Sequence, residues 1–330
     1  MEIEIHQWLK AIFGNQSARS QLSVMSDSTS ASVQFYPWNT ISRPVLQLGI
    51  GDDAAIINVG DQGIVLTTDA LIEGVHFDAS LNLQQIGRKA LAVNLSDLAA
   101  MAAWPYGFLV TLCLPKHFVL HDVQQLFLGM QALIDEFELQ IMGGDTNVGS
   151  SQLIISITAL GTVDTAKAWR MDGASPGDRI LVSGSFGGSR SEKHFNFEPR
   201  CQLAYTLNQQ FEIVAATDVS DGLAIDLHRL AQASNVGFVL ESHKIPISNN
   251  VATGSDSSRL LAALGDGEDF ELIIAARPNV AAKILKHPDF AAQLCDVGEF
   301  TNTYDVEHNC LLHNHLTGSL EKLAPIGYVH

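Results

Sequence analysis

The sequence predicts an α/β protein, α+β in arrangement, built from two domains, and three observations carry that reading. At 330 residues the chain exceeds what one hydrophobic core usually organises. Short apolar runs rich in β-branched residues alternate with longer stretches of helical period. Near Asp164 the texture breaks into a polar connection and a Ser-Pro-Gly-Asp turn, which divides the chain into residues 1–163 and 164–330.

The elements follow in order. After a short acidic amphipathic N-terminal helix, residues 15–42 are rich in Ser, Gln and Thr without periodicity and read as a mobile arm. "VLQLGI", "AAIINV", "GIVLTT", "FLVTLCL" and "LIISITALGTV" have the length and composition of strands. Between them, helices are expected over 83–103 and 121–137. The first is apolar on most sides and should be buried, so its polar pair Asn94 and Asp97, three residues apart on one face, requires partners. For Asp97 that means a metal, a base or a donor facing the helix. Beyond the boundary, "RILVSG", "VGFVLE" and "FELIIAA" read as strands, with helices starting near Gly222, Ser257 and Pro278.

Composition excludes several functions. Nineteen basic against thirty-six acidic residues give a formal charge of −17, a surface that repels nucleic acid and anionic lipid. The same charge repels an anionic substrate unless cations lie between them. The N-terminus lacks the basic start and apolar run of a secretory signal, and no apolar stretch reaches spanning length. Four scattered cysteines form no C-x-x-C pattern, so a cytoplasmic protein with reduced thiols is expected. Cys310, His313 and His315 offer only three zinc-type ligands at loose spacing, and zinc is set aside.

Six segments share one local design, an acidic residue beside Gly, Ser or Thr at the edge of an apolar run: "GIGDDAA", "LTTDALIEGVHFD", "NLSDLAAM", "MGGDTN", "ATDVSDGL" and "GDGEDFEL". Each alone is compatible with a turn or a helix cap. Together, with few Lys or Arg nearby, they predict carboxylates sharing Mg²⁺ with substrate phosphates. "GIGDDA" has the glycine spacing of a dinucleotide turn. That fold needs a helix at this point, however, and "AAIINV" continues as a strand. No Walker-type lysine loop, protein-kinase motif set or serine-hydrolase elbow is present.

In this order, "GIGDDAAI", "TTDALIEGVHF", "KALAVNLSDLAAMAAWP", "GGDT", "SPGDRILVSG", "DVSDGLAIDL" and "GEDFEL" resemble the thiamine-monophosphate kinase family over residues 48–274. That family lies in the superfamily of aminoimidazole ribonucleotide synthetase and selenophosphate synthetase. The resemblance implies a two-domain synthetase-like fold whose N-terminal sheets pair into a barrel in a homodimer. It also implies ATP-dependent conversion of thiamine monophosphate to thiamine diphosphate with several Mg²⁺ ions. By the same resemblance Asp53, Thr67, Thr68, Asp69, Asp97, Asp145, Asp218 and Asp221 would hold Mg²⁺, while Gly144, Asp145, Arg170, Ser220 and Phe127 would contact ATP. His76, Glu268 and Tyr328 would meet thiamine monophosphate, although His76 and Tyr328 can also be read as structural. Asp52 is expected to orient the loop rather than bind a cation.

Two departures stand out. Asn147 and Val148 occupy the last two places of the family's G-G-D-T-T-R, and a helix usually present between the turn after "RILVSG" and Pro199-Arg200 is missing. They leave open a related synthetase with another acceptor, or a nucleotide- or thiamine-binding protein without turnover.

Overall fold

The computed structural model describes residues 45–59, 62–78, 81–189 and 193–328; the expected N-terminal helix and the Ser-rich 15–42 segment lie outside the described residues. The first sheet contains β1 (Val45–Leu48), β2 (Ala55–Val59), β3 (Gln62–Ile72), β4 (Trp104–Pro115), β5 (Gln140–Ser150) and β6 (Ile154–Asp164). Their spatial order is β1-β2-β3-β6-β4-β5, with the β4–β5 pair parallel and the others antiparallel. The parallel pair requires a crossover, and helix α2 (Leu120–Phe137) supplies it.

Helix α1 (Leu83–Ala100) joins β3 to β4 and is buried along nearly its whole length, as its all-round apolar pattern requires. The Asn82 side chain caps its first turn by accepting from Gln84 N at 2.8 Å. The helix stops short of the expected residue 103 because the chain turns through Met101 and a left-handed Ala102, φ 53°. Gly87 and Gly129 let α1 and α2 meet backbone to backbone.

The second sheet contains β7 (Arg179–Ser183), β8 (Ala215–Asp218), β9 (Phe238–Glu241), β10 (Leu272–Ala276), β11 (Leu294–Phe300), β12 (Cys310–Asn314) and β13 (Ser319–Lys322). Its order is β13-β12-β9-β11-β7-β10-β8, antiparallel except for β9 with β12. Around it lie α3 (Lys193–Asn196), α4 (Cys201–Gln210), α5 (Leu223–Ser234), α6 (Asp256–Gly265) and α7 (Pro278–Ile284). Strands β7 and β10 are buried on both faces. Leu181, Leu272 and Ile274 join the core that contains α1, whereas Ile180, Val182 and Ile273 join one with Leu223 and Leu227 of α5. Helix α1 therefore touches β3 and β6 of the first sheet as well as α3, α4 and β8 of the second half. It is the shared spine along which residues from both halves meet. Among the described residues no helix is long and apolar enough to cross a membrane.

Candidate functional site

Strand alternation decides which side chains reach α1. On β3 Thr67 is buried and Thr68 exposed, so Thr67 and Asp69 share the face covered by the helix. The two polar residues of α1 bind that face. Thr67 Oγ1 donates to Asp97 Oδ2 at 2.5 Å, and Asp69 N donates to Asn94 Oδ1 at 3.1 Å. Thr67 thus supplies the facing hydroxyl donor expected as one partner of Asp97. One residue before Asp97, Ser96 Oγ donates to Asp218 Oδ2 at 2.5 Å at the end of β8. Asp53, in the loop between β1 and β2, accepts from Thr217 Oγ1 at 3.0 Å. Asp52 holds that loop, accepting from Asp53 N at 3.0 Å and from Met171 N at 3.1 Å.

Four segments distant in sequence thus bring Asp53, Asp69, Asp97 and Asp218 together, and electrostatics registers the crowding. Burial pushes Asp53 well above the usual carboxylate range, and Asp218 and Asp52 push it further. Asp97 rises likewise, through burial and then Asp69 and Asp218. Asp218 is pushed up to about 7 by burial, with Asp69 and Asp221 adding to the rise and the Ser96 hydroxyl opposing it. Among the described residues Asp53 Oδ2 is buried without a hydrogen-bond partner, a costly state for a carboxylate oxygen. A set of carboxylates and hydroxyls fits Mg²⁺, which selects oxygen donors. Among the described residues no three His, Cys, Asp or Glu side chains cage an ion unaided.

The turn after β8 carries the next residues. Arg229 Nη1 pairs with Asp221 Oδ2 at 2.6 Å and with Asp226 Oδ1 at 2.7 Å. Asp226 Oδ2 accepts from the backbone of Asp221 and Gly222, which fixes the start of α5. Ser220 O accepts from Glu268 N at 2.6 Å, and Asp221 O accepts from Tyr328 N at 2.7 Å. Ser220, Glu268 and Tyr328 therefore gather at one turn, adjoining the aspartates.

In the second turn of α1, Lys89 is fully buried. Its Nζ donates to His76 O at 3.0 Å and to Glu268 Oε1 at 2.5 Å. His194 Nδ1 lies 2.7 Å from Glu268 Oε2. Burial opposes the charge on Glu268, but the His194 hydrogen bond and the Lys89 ammonium outweigh it and hold the carboxyl down at about 2. His76 and Glu268 are thus joined through Lys89. Eight residues of helix separate Lys89 from Asp97, so this end lies roughly 12 Å along α1 from the aspartates.

Other expected residues lie elsewhere. Thr68 Oγ1 donates to Ile157 O at 3.1 Å and accepts from Thr158, on the exposed face of the sheet. Gly144 and Asp145 sit on the exposed edge strand β5. The register runs Ala70–Ser156–Thr111–Asp145, so Asp145 shares the face of Thr68 and stands three strands, roughly 14 Å, from β3. Its carboxylate accepts from Asn147 Nδ2 at 2.8 Å, so the residue marked as a departure supports Asp145 locally. Arg170 pairs with Asp172 at 2.6 Å beside Asp52. Phe127 is half-buried against the α1–α2 core. Cys310 is buried, while His313 hydrogen bonds Glu241 at 2.8 Å, and the four cysteines are free.

Sequence reasoning missed Lys89, Ser96, His194 and Arg229. Lys89 did carry a signal, since a lysine inside a helix expected to be buried demands a carboxylate partner. His194 lies in the stretch set against the family pattern that ends at Pro199-Arg200, but its partner is 74 residues away and could not be read from it.

The chain matches the models of the AIR synthase related protein N-terminal domain over residues 51–163 and of its C-terminal domain over residues 175–310. It is 38% identical over 303 residues to the thiamine-monophosphate kinase of Rhodopirellula baltica, covering 88% of this chain and 93% of that protein. A structure described as AaThiL complexed with AMPPCP and TMP aligns with TM-score 0.73 at 26% identity, over 85% of this chain and 91% of its own. The thiamine-monophosphate kinase structure from Stenotrophomonas maltophilia aligns with TM-score 0.66 at 33% identity, over 78% and 89% of the two chains.

Proposed function

The chain belongs to the thiamine-monophosphate kinase family, and on that premise we infer that it transfers the γ-phosphoryl group of ATP to thiamine monophosphate, giving thiamine diphosphate and ADP. The observation that carries this reading is the convergence of Asp53, Asp69, Asp97 and Asp218 around Thr67, Ser96 and Thr217. The pairing of AMPPCP with TMP in the AaThiL structure supports the same pair of ligands here.

Several Mg²⁺ ions would neutralise charge between these carboxylates and the two substrates' phosphates. Asp53, Thr67, Asp69, Asp97, Asp218 and Asp221 would hold them. Thr68 and Asp145 face away from this cluster, so their hydroxyl and carboxylate are left out of the cation set. Ser220 and Arg170 flank the cluster and would position ATP; Gly144, Asp145 and Phe127 are assigned to the nucleotide on resemblance alone. His76, Glu268 and Tyr328 would orient thiamine monophosphate. The attacking group is already an anionic phosphate oxygen, so no side chain need act as general base. The protein's task is to position two anions in line and to offset their repulsion.

We place the protein in the cytoplasm as a homodimer. The exposed sheet face supports the dimer, with Leu109 40% exposed on the face of Thr68 next to β5, which is the edge strand among the described residues. Incubation with ATP, Mg²⁺ and thiamine monophosphate should yield thiamine diphosphate and ADP in equal amounts by chromatography. ADP without thiamine diphosphate, or no turnover across a range of Mg²⁺ concentrations, contradicts this reading.

A further inference from the structure

We propose that His194 and Lys89 are positioning residues for the acceptor: they clamp the two oxygens of Glu268 so that this carboxylate meets the cationic heterocycle of thiamine monophosphate in one fixed orientation. This builds on the kinase function proposed above, and its supports are geometric. Lys89 Nζ holds Oε1 at 2.5 Å and His194 Nδ1 holds Oε2 at 2.7 Å, so rotation of the carboxylate would break one contact or the other. Lys89 also holds His76 O, which ties both expected acceptor contacts to one ammonium.

The segment that carries His194 is itself pinned. Lys193 Nζ donates to Ser185 O at 2.7 Å and to Glu271 Oε1 at 3.0 Å, and Arg200 grips both oxygens of Glu271 at 2.7 and 2.8 Å. Arg88 Nη1 donates to Phe195 O at 3.2 Å, and Phe197 stacks on Phe270 with centroids 4.2 Å apart. Residues 193–200 therefore form a pinned wall beside Glu268.

Two features argue that this cluster serves binding rather than stability. His194 Nε2 is buried without a partner among the described residues, a state that carries a desolvation penalty and that an apolar side chain would avoid. Glu268 adopts a left-handed backbone, φ 57°, after Gly267 at 74°; a non-glycine residue held there is the kind of strain retained at ligand sites. Thiamine monophosphate offers a positively charged thiazolium and an aminopyrimidine donor, and an ionised, oriented carboxylate suits both.

The test uses the full-length protein with His194→Leu, His194→Asn and Lys89→Met, read by steady-state kinetics and thermal melting. His194→Leu should raise KM for thiamine monophosphate about tenfold or more while leaving KM for ATP within about twofold. Its melting temperature should change little, because losing the contact to Glu268 is offset by removing the orphaned nitrogen, so the readout is the split between the two KM values. His194→Asn, which keeps a donor near the Nδ1 position, should restore most of the acceptor affinity. Lys89→Met should act in the same direction, and the double variant should add little to either, since both act through Glu268. An unchanged acceptor KM in His194→Leu, or equal loss for both substrates with a lower melting temperature, overturns the proposal. If wild type fails to use thiamine monophosphate, the kinase function fails and this inference with it. If wild type is active and His194→Leu is kinetically silent, this inference alone fails.

Discussion

At Asp69 the backbone N–H is anchored by Asn94 while the charge bears on Asp97 and Asp218, so the fold needs the backbone there and the chemistry needs the carboxylate. Asp69→Asn and Asp218→Asn are expected to lower kcat by about 100-fold or more at limiting Mg²⁺, with little loss of melting temperature. Near-normal turnover of Asp69→Asn at low Mg²⁺ would remove that residue from the cation set. Glu268 behaves in the opposite way, because its partners favour the charged form. Its carboxyl falls from 4.5 to about 2 in the folded state, so the folded protein holds this proton less tightly than the unfolded chain does. The resulting stability is present above pH 4.5 and is lost as pH falls towards 2. Glu268→Gln should flatten that acid limb, a change on the order of 2–3 kcal/mol in denaturant titrations across the window. An unaltered limb would mean that the Lys89 and His194 contacts do not persist in solution.

The elements that carry these residues were legible to different degrees. Strands β3, β4 and β6 and helices α1 and α2 declared themselves through β-branched runs and helical period. Strand β5 did not, because "MGGDTN" reads as a polar glycine turn, and only pairing with β4 makes it a strand. Gly144 illustrates the difference. A Cβ there would lie 1.8 Å from Val110 O, at φ 154°, so close strand pairing demands glycine whether or not ATP approaches. Strand β8 was hidden for a similar reason, since "AATD" is four residues long and was absorbed into the helix signal that follows. At the α1–α2 crossing, a Cβ on Gly87 would lie 2.0 Å from Leu126 O and one on Gly129 1.8 Å from Gln84 O. Gly87→Ala or Gly129→Ala should therefore cost about 3 kcal/mol, since both obstacles are backbone and cannot swing aside. Urea midpoints would show this; an unchanged midpoint would mean that the helices cross further apart.

For the whole molecule, the order of the acidic segments was visible along the chain, but their faces were not. Period-two alternation shows that Thr67 and Thr68 diverge, yet only the ladder through β6 and β4 shows that Asp145 shares the face of Thr68. That face, on which Leu109 is 40% exposed, is where a second copy would pair. Sedimentation should report a dimer, and Leu109→Lys should shift it towards monomer; a wild-type monomer at micromolar concentration would contradict the pairing. The central claim is that the aspartates act through cations shared with both substrates. Its most direct test is the initial rate of thiamine diphosphate formation against free Mg²⁺ at fixed, saturating MgATP. The account predicts a rate that keeps rising after all ATP is complexed, with a steep dependence on free Mg²⁺ that Asp218→Asn weakens. Saturation as soon as ATP is complexed, unchanged by Asp218→Asn, would contradict it.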